Sequence, residues 1–111
     1  MSKRFNATIG QNVTTTTATE KQQVDRDQFS VQVFGATTAG AGSAIVLVEV
    51  SNVPTPTVDG HWTTAGTITL TLSTTITSDA LAVAVPYTHV RTRATTLSGT
   101  GAYYSSYLCG G

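Results

Sequence analysis

The chain has 111 residues, the length of one domain, and its six basic and six acidic residues leave a formal net charge of zero. Charged residues make up only 11% of the chain, against about 25% in an ordinary soluble protein. No basic run is present to neutralise phosphates and no apolar stretch approaches the roughly 18 residues that span a bilayer, which excludes the usual nucleic-acid and membrane-spanning surfaces.

The first 28 residues are predicted to form an extended arm. They are mostly polar, with a threonine run at 14–17, and their few apolar residues are Phe5, Ile9, Val13 and Val24. Such a segment cannot bury enough surface to fold alone. Threonine favours extended backbone, so we expect the arm to add a strand to a neighbouring subunit or to lie along a partner. Phe5, Ile9 and Val13 are then its interface residues.

Strand signals begin at Phe29. Apolar and polar residues alternate over 29–33, a glycine-rich turn is predicted at 35–43, and the near-continuous apolar run at 44–50 predicts a central strand buried on both faces. Residues 53–60 contain two prolines and an Asp-Gly pair, which predict a loop ending in a turn.

The second half of the chain continues the same pattern. Residues 67–72 alternate strictly between threonine and Ile68, Leu70 and Leu72. The further predicted segments are a strand at 81–85 stopped by Pro86, a strand at 87–96, a glycine-rich turn at 97–101 and a last strand at 103–109.

These signals predict an all-β fold. We expect an antiparallel β-sandwich, jelly-roll-like, over residues 29–111, preceded by the arm at residues 1–28. The predicted core is Val31, Val33, Val46, Val48, Trp62, Ile68, Leu70, Leu72, Leu81, Val83, Val85, Val90 and Leu108.

The sequence offers little for catalysis. Asp59 and His61 flank a glycine and could pair as acid and base, but an Asp-Gly turn before a strand needs no further role. Asp59 and Asp79 in predicted loops leave a calcium site open, but it is disfavoured because calcium takes six to eight oxygens, usually with several carboxylates converging. Cys109 is the only cysteine, and no nearby residue in the sequence would lower the pKa of its thiol. A chain with one cysteine cannot form an internal disulfide, which is consistent with folding in a reducing cytoplasm. We therefore expect no enzyme activity, no catalytic or metal-binding residues and no cofactor.

Aromatic and arginine residues are the remaining candidates for a surface role. Trp62 is either a core plug, which we prefer, or a stacking platform for a sugar. Alternation places Tyr87, Arg91 and Arg93 on one strand face, which is either an interface or simply solvent-exposed. It places Tyr103 and Tyr107 on one face of the last strand, so they also are interface candidates.

Two segments together resemble a known family. The first is Val48-Glu49-Val50-Ser51 followed by Asp59-Gly60-His61-Trp62, and the second is Pro86-Tyr87-Thr88-His89-Val90-Arg91 followed by Thr96-Leu97-Ser98-Gly99-Thr100-Gly101. This pattern resembles the small β-sandwich virion proteins of tailed bacteriophages, over about residues 29–111. The resemblance implies that Trp62 packs in the core and that Arg91 ties neighbouring strands.

The resemblance also implies a function and partners. We expect a virion structural protein made in the host cytoplasm, a capsid decoration or cement subunit anchored by its arm to major capsid, neck or tail subunits. We expect a homo-oligomer, and the resemblance implies a trimer. We expect neither nucleic acid nor a membrane as a partner. The alternative is a carbohydrate- or receptor-binding module of a tail or fibre, and a bacterial surface domain is disfavoured because residues 1–10 lack the apolar region of a secretion signal.

Overall fold

The computed structural model describes residues 5–24, 28–84 and 86–110. The described residues form eight strands and one turn of 3-10 helix at Asp59–His61. The strands are β1 (Phe5–Val13), β2 (Gln22–Gln23), β3 (Phe29–Ala36), β4 (Ala39–Ser51), β5 (Thr63–Leu72), β6 (Thr77–Val83), β7 (His89–Thr100) and β8 (Tyr103–Gly110). The all-β prediction is confirmed. Within these residues, no helix has the length and apolar character that crossing a membrane requires.

The strands form two four-stranded sheets, ordered β1-β8-β3-β6 and β2-β7-β4-β5, and every pairing is antiparallel. The first strand pairs with the last, the second with the seventh, the third with the sixth and the fourth with the fifth. This nested pairing is that of a long hairpin rolled over itself, which is the jelly-roll arrangement of two packed sheets. The predicted antiparallel, jelly-roll-like sandwich is therefore confirmed.

Strict alternation of side chains places the core between the two sheets. In β5, Ile68, Leu70 and Leu72 are buried, whereas the threonines between them are exposed. The buried apolar residues shared by both sheets are Ile9, Val24, Phe29, Val31, Val33, Ala44, Val46, Val48, Val50, Ile68, Leu70, Leu72, Val83, Val90, Ala94, Ala102, Tyr104 and Leu108. Most of the predicted core is thus confirmed, Leu81 is only partly buried, and Val85 lies outside the described residues.

The glycine-rich segments form strands where turns were predicted. β3 extends to Ala36 and β4 begins at Ala39, so that only two residues turn the chain. A Cβ on Gly42 would overlap the Ser98 carbonyl of β7, so this glycine permits close approach of two strands. The turn at the end of β7 is also shorter than predicted, and Gly101 adopts a positive φ of 64° there. β4 lies in the interior of its sheet as predicted, but its outward residues Ile45 and Leu47 are only half-buried.

The expectation for the first 28 residues needs correction. β1 lies in the same chain's sheet, where Ala7 pairs with Leu108 and Thr8 with Tyr107 of β8. Ile9 is 4% exposed and belongs to the sandwich core rather than to an interface. The described part of this segment is thus not a separate arm, and it completes the sandwich predicted for residues 29–111.

The chain after β1 also stays on its own sandwich. The Thr19 amide donates to the Thr92 carbonyl at 2.9 Å and the Val24 amide to the Thr88 carbonyl at 2.7 Å. The physical reason for the correction is that backbone pairing and a few buried apolar residues suffice when the rest of the chain supplies a preformed sheet edge. Residues 1–4 and 25–27 of the predicted arm lie outside the described residues.

Replacing Ile9 by alanine tests this placement. We expect Ile9→Ala to lower the free energy of unfolding by about 2–4 kcal/mol, because a buried side chain is truncated. Thr8→Ala, at the exposed neighbouring position, is the control and should lower it by less than about 1 kcal/mol. Both are measured by urea unfolding at several protein concentrations. A difference between Ile9→Ala and Thr8→Ala that changes with protein concentration would mean that β1 comes from another copy and would contradict the intrachain pairing.

Candidate functional site

A cluster of charged side chains lies on the outer face of the β2-β7-β4-β5 sheet. The strand register sets Glu49 of β4 directly opposite Arg91 of β7, and alternation places Arg93 on the same face. The connection between β4 and β5, residues 52–62, brings Asp59 and Trp62 to Arg91. Glu49 is consequently buried although it faces away from the core.

The cluster is fully paired in charge. Arg91 Nε donates to Glu49 Oε1 at 2.9 Å, and Arg93 Nη2 donates to Glu49 Oε2 at 3.1 Å. Arg91 Nη2 also donates to Asp59 Oδ1 at 3.0 Å. The Glu49 side chain is 6% exposed and that of Asp59 is 81% exposed, so the two carboxylates are in very different environments. A buried carboxylate held by two guanidiniums is a structural tie, because neither charge can be removed without stranding the other.

Trp62 was predicted to pack in the core, and this prediction is wrong. Its side chain is half-buried outside the sandwich, and the Arg91 guanidinium lies 4.5 Å from the centre of its ring. This distance is within the range of a cation–π contact. The implied role of Arg91 is confirmed, since it ties β7 to β4 and also to the connection at residues 52–62.

A small open cleft adjoins this cluster. Thr19, Glu20, Lys21, Pro56, Thr57, Trp62 and Arg91 line it. Its volume is about 160 Å³, below the roughly 300–1,000 Å³ of sites for small molecules. Because its charges are paired with one another, the cluster is better suited to hold the 52–62 connection in place than to bind a ligand.

The candidate acid–base pair is divided between two structural roles. Asp59 binds Arg91, and His61 Nδ1 accepts the Thr57 amide hydrogen at 3.1 Å. Each side chain thus fastens one end of the same short turn. Among the described residues, no group of three or more His, Cys, Asp and Glu side chains is placed to hold a metal ion.

His89 lies at the start of β7, beside this cluster. It is buried, and its Nδ1 lies 3.0 Å from the Thr88 hydroxyl. Burial lowers the pKa of His89 below its ordinary value of 6.5, and the positive charge of Lys21 lowers the pKa further. The folded protein therefore favours the neutral imidazole.

The outer face of the β1-β8-β3-β6 sheet has a different character. The strand register aligns its side chains in rows across the sheet. These rows are Asn6, Cys109, Ser30 and Ala82; then Thr8, Tyr107, Gln32 and Ala80; then Ser105, Phe34 and Ser78; and finally Tyr103 and Ala36. None of these residues carries a charge at neutral pH. We call this set the uncharged face.

An aromatic pair stands near the middle of the uncharged face. The rings of Phe34 and Tyr107 stack with centroids 5.4 Å apart and planes 15° from parallel. A shallow hollow of about 510 Å³ beside them is lined by Asn6, Ala7, Thr8, Gln32, Tyr107 and Leu108. Aromatic enrichment and depletion of charge are the marks of the central part of a protein interface.

The predicted interface residues are distributed over three places. Tyr103 and Tyr107 lie on the uncharged face, Arg91 and Arg93 belong to the charged cluster, and Ile9 is in the core. Val13 and Tyr87 are partly buried against the core, and the side chain of Phe5 lies outside the described residues. Of the predicted core residues, Ile68, Leu70 and Val90 are buried as expected.

Phe34 and Gln32 are the functional candidates that the sequence reasoning missed. Alternation was predicted only over residues 29–33, with Ser30 and Gln32 on the outer face. Extending the same alternation to residue 34 would have placed Phe34 on that face next to Gln32. Their contact with Tyr107 could not be anticipated, because the β3–β8 register joins segments that are about 70 residues apart in the chain.

Comparisons of the chain with protein-family models, with curated protein sequences and with solved structures find no match.

The charged cluster predicts unequal effects for its two carboxylates. We expect Glu49→Ala to lower the free energy of unfolding by about 3 kcal/mol, because Arg91 and Arg93 lose a buried partner. Asp59→Ala removes an exposed partner of Arg91 and should lower the free energy of unfolding by less than about 1 kcal/mol. Urea unfolding at neutral pH measures both. Equal losses would show that Glu49 is not the centre of the tie.

His89 predicts a component of acid sensitivity. Its folded pKa lies below its unfolded pKa, so the unfolded state binds more protons as the pH falls through 6.5. The stabilisation is full above that pH and is lost as the pH falls toward the folded pKa. We expect the free energy of unfolding to decline from pH 7.5 to 5.5, and less steeply in His89→Gln. A titration by NMR that placed the His89 pKa above 6.5 would contradict this account.

Proposed function

We propose that the protein is a non-enzymatic structural subunit of a virion, and that it attaches as a capsid decoration subunit through its uncharged face. The observation that carries the proposal is this face itself, four strands wide, with aromatic rings at Tyr103, Tyr107 and Phe34 and no charge among its aligned side chains. A protein surface normally keeps interspersed charges for solubility. A broad face without them fits another subunit better than it fits water.

The charges that the chain does have support the same proposal. Arg91 and Arg93 both bind Glu49 within the charged cluster, and Arg91 also binds Asp59 of the 52–62 connection. They leave little to bind a charged substrate. Asp59 and His61 likewise fasten a turn. The residues most able to perform chemistry thus have structural contacts, which favours a structural role over an enzymatic one.

The structure changes how attachment is proposed to occur. Attachment was expected through residues 1–28, but β1 and residues 19–24 are engaged by the chain's own sheets. The uncharged face therefore replaces the arm as the proposed anchor. β1 contributes Asn6 and Thr8 to that face and so still borders the proposed contact.

Co-purification with particles tests the proposal directly. Particles from a culture that produces the chain are separated on a density gradient, and their proteins are quantified by mass spectrometry. We expect the chain in the particle fraction in fixed proportion to the major capsid protein. Recovery only in the fraction of free proteins would contradict the proposal.

A charge placed on the uncharged face tests the proposed anchor. We expect Gln32→Lys to remove the chain from purified particles, because a lysine beside Tyr107 would be desolvated without a partner. Thr74→Lys adds the same charge at the exposed turn between β5 and β6 and is the matched control. Both variants should fold, as measured by circular dichroism. Equal binding of both variants would mean that attachment uses another surface.

A carbohydrate-binding module is the second candidate. The Phe34–Tyr107 stack next to Gln32 and Asn6 offers an aromatic platform with polar groups beside a hollow of about 510 Å³, which is within the usual size range of ligand sites. Specific binding to a glycan array, lost in Tyr107→Ala, would favour this function over the structural one.

A further inference from the structure

Each sheet of the sandwich ends in two edge strands, and three of the four are protected against pairing with another strand. β1 is interrupted by two register shifts. β2 is only two residues long. β6 carries Asp79 in register with the buried Val33, and Asp79 Oδ1 accepts the Ala80 amide hydrogen at 2.8 Å. Irregularity, shortness and a charged side chain on the edge strand are recognised ways of preventing edge-to-edge contact.

β5 has none of these protections. It is ten residues long and contains neither a charge nor a proline. Its pairing with β4 is irregular only near its beginning, between Thr64 and Gly66, so residues 66–72 form a regular edge. Threonine, isoleucine and leucine alternate there, and these are residues that favour strands. β5 is therefore the edge best suited to accept a further strand.

A hydrogen bond shows which main-chain groups of β5 face outward. The Thr77 hydroxyl of β6 donates to the Thr71 carbonyl at 3.3 Å, so this carbonyl points away from β4. In an antiparallel strand, the amide and carbonyl of one residue point to the same side, and successive residues alternate. The main-chain groups of Thr67 and Thr69 therefore also point away from β4, whereas those of Ile68 and Leu70 point toward it. Pairing with another strand requires the Thr71 carbonyl to exchange the Thr77 hydroxyl for an amide of that strand, or to share it.

We propose that a second copy of this chain pairs with β5 in antiparallel register around Thr69, joining the two β2-β7-β4-β5 sheets into one. The sequence Thr67-Ile68-Thr69-Leu70-Thr71 is self-complementary about its centre. Thr69 meets Thr69 of the second copy, Thr67 meets Thr71, and Ile68 meets Leu70. Threonine thus pairs with threonine on the outer face, and apolar residues pair on the core side.

The symmetry of the pairing supports a second copy rather than another protein's strand. A two-fold axis perpendicular to the sheet makes both contacts identical and closes the assembly at two copies. It also keeps the core side of each sheet on the same side. The inference goes beyond the proposed function, since the contact uses an edge and leaves the uncharged face of the other sheet free.

The mass of the protein in solution tests the pairing. Light scattering after gel filtration, with reductant present to keep Cys109 free, should give twice the 11.5 kDa chain mass. Thr69→Pro removes an amide hydrogen that points to the open side, so it spares the β4 pairing and should weaken dimerisation at least about tenfold. Thr69→Val keeps the amide and is the control that should remain dimeric. A wild-type protein that is monomeric at all concentrations would overturn the proposal.

The register is tested by paired charges, which also covers the case in which Thr69→Pro fails to fold. Thr67→Lys with Thr71→Lys sets lysine opposite lysine in the dimer and should give a monomer. Thr67→Lys with Thr71→Asp sets lysine opposite aspartate and should restore the dimer. Both positions are exposed, so the monomer fold should persist. If both double variants behave alike, pairing around Thr69 is wrong, whereas binding to particles, the test of the proposed function, is measured separately.

Discussion

The structure depends on one constraint: two sheets bury a single shared layer of side chains, so each strand leaves every second residue outside. In most small domains charged residues fill those outer positions, but this chain has charges at only 11% of its residues. Threonine, serine and aromatic residues take the outer positions instead. The uncharged face and the outward row of threonines on β5 both result from this scarcity of charge. They are the two surfaces for which contacts with other copies or other proteins are proposed.

The sequence predicted the parts of the fold that local alternation determines. The strictly alternating segment at β5 and the valines of β3 and β4 were placed correctly, and the jelly-roll class followed from the number and spacing of strands. What it could not predict was pairing at long range. β1 pairs with β8, about one hundred residues away, and only the finished sheet edge makes this polar segment stable. Composition alone therefore favoured a free arm, because the residues that bury Ile9 lie far from it in the sequence.

The candidate site shows the same division. The tie made by Arg91 follows from its position opposite Glu49, but the burial of Glu49 depends on where the connection at 52–62 folds. A tryptophan after an Asp-Gly turn can enter the core, which was the preferred interpretation of the sequence, or cover a sheet from outside. Here Trp62 lies over a guanidinium, which satisfies both its ring and the cation without a place in the core. The sequence contains no signal that distinguishes these two outcomes.

The two proposed contacts do not compete for the same part of the molecule, and this follows from the jelly-roll pairing. β5 is the edge of one sheet, whereas the uncharged face is the outer surface of the other. An edge extends a sheet within its own plane, but a face contacts a partner across that plane. A dimer joined through β5 would therefore present two uncharged faces on the same side, because a two-fold axis perpendicular to the sheets preserves their direction. Two faces engaging a repeating surface raise the effective concentration of the second contact without adding any new interaction. The dimer would thus attach to such a surface more firmly than a single copy of the chain.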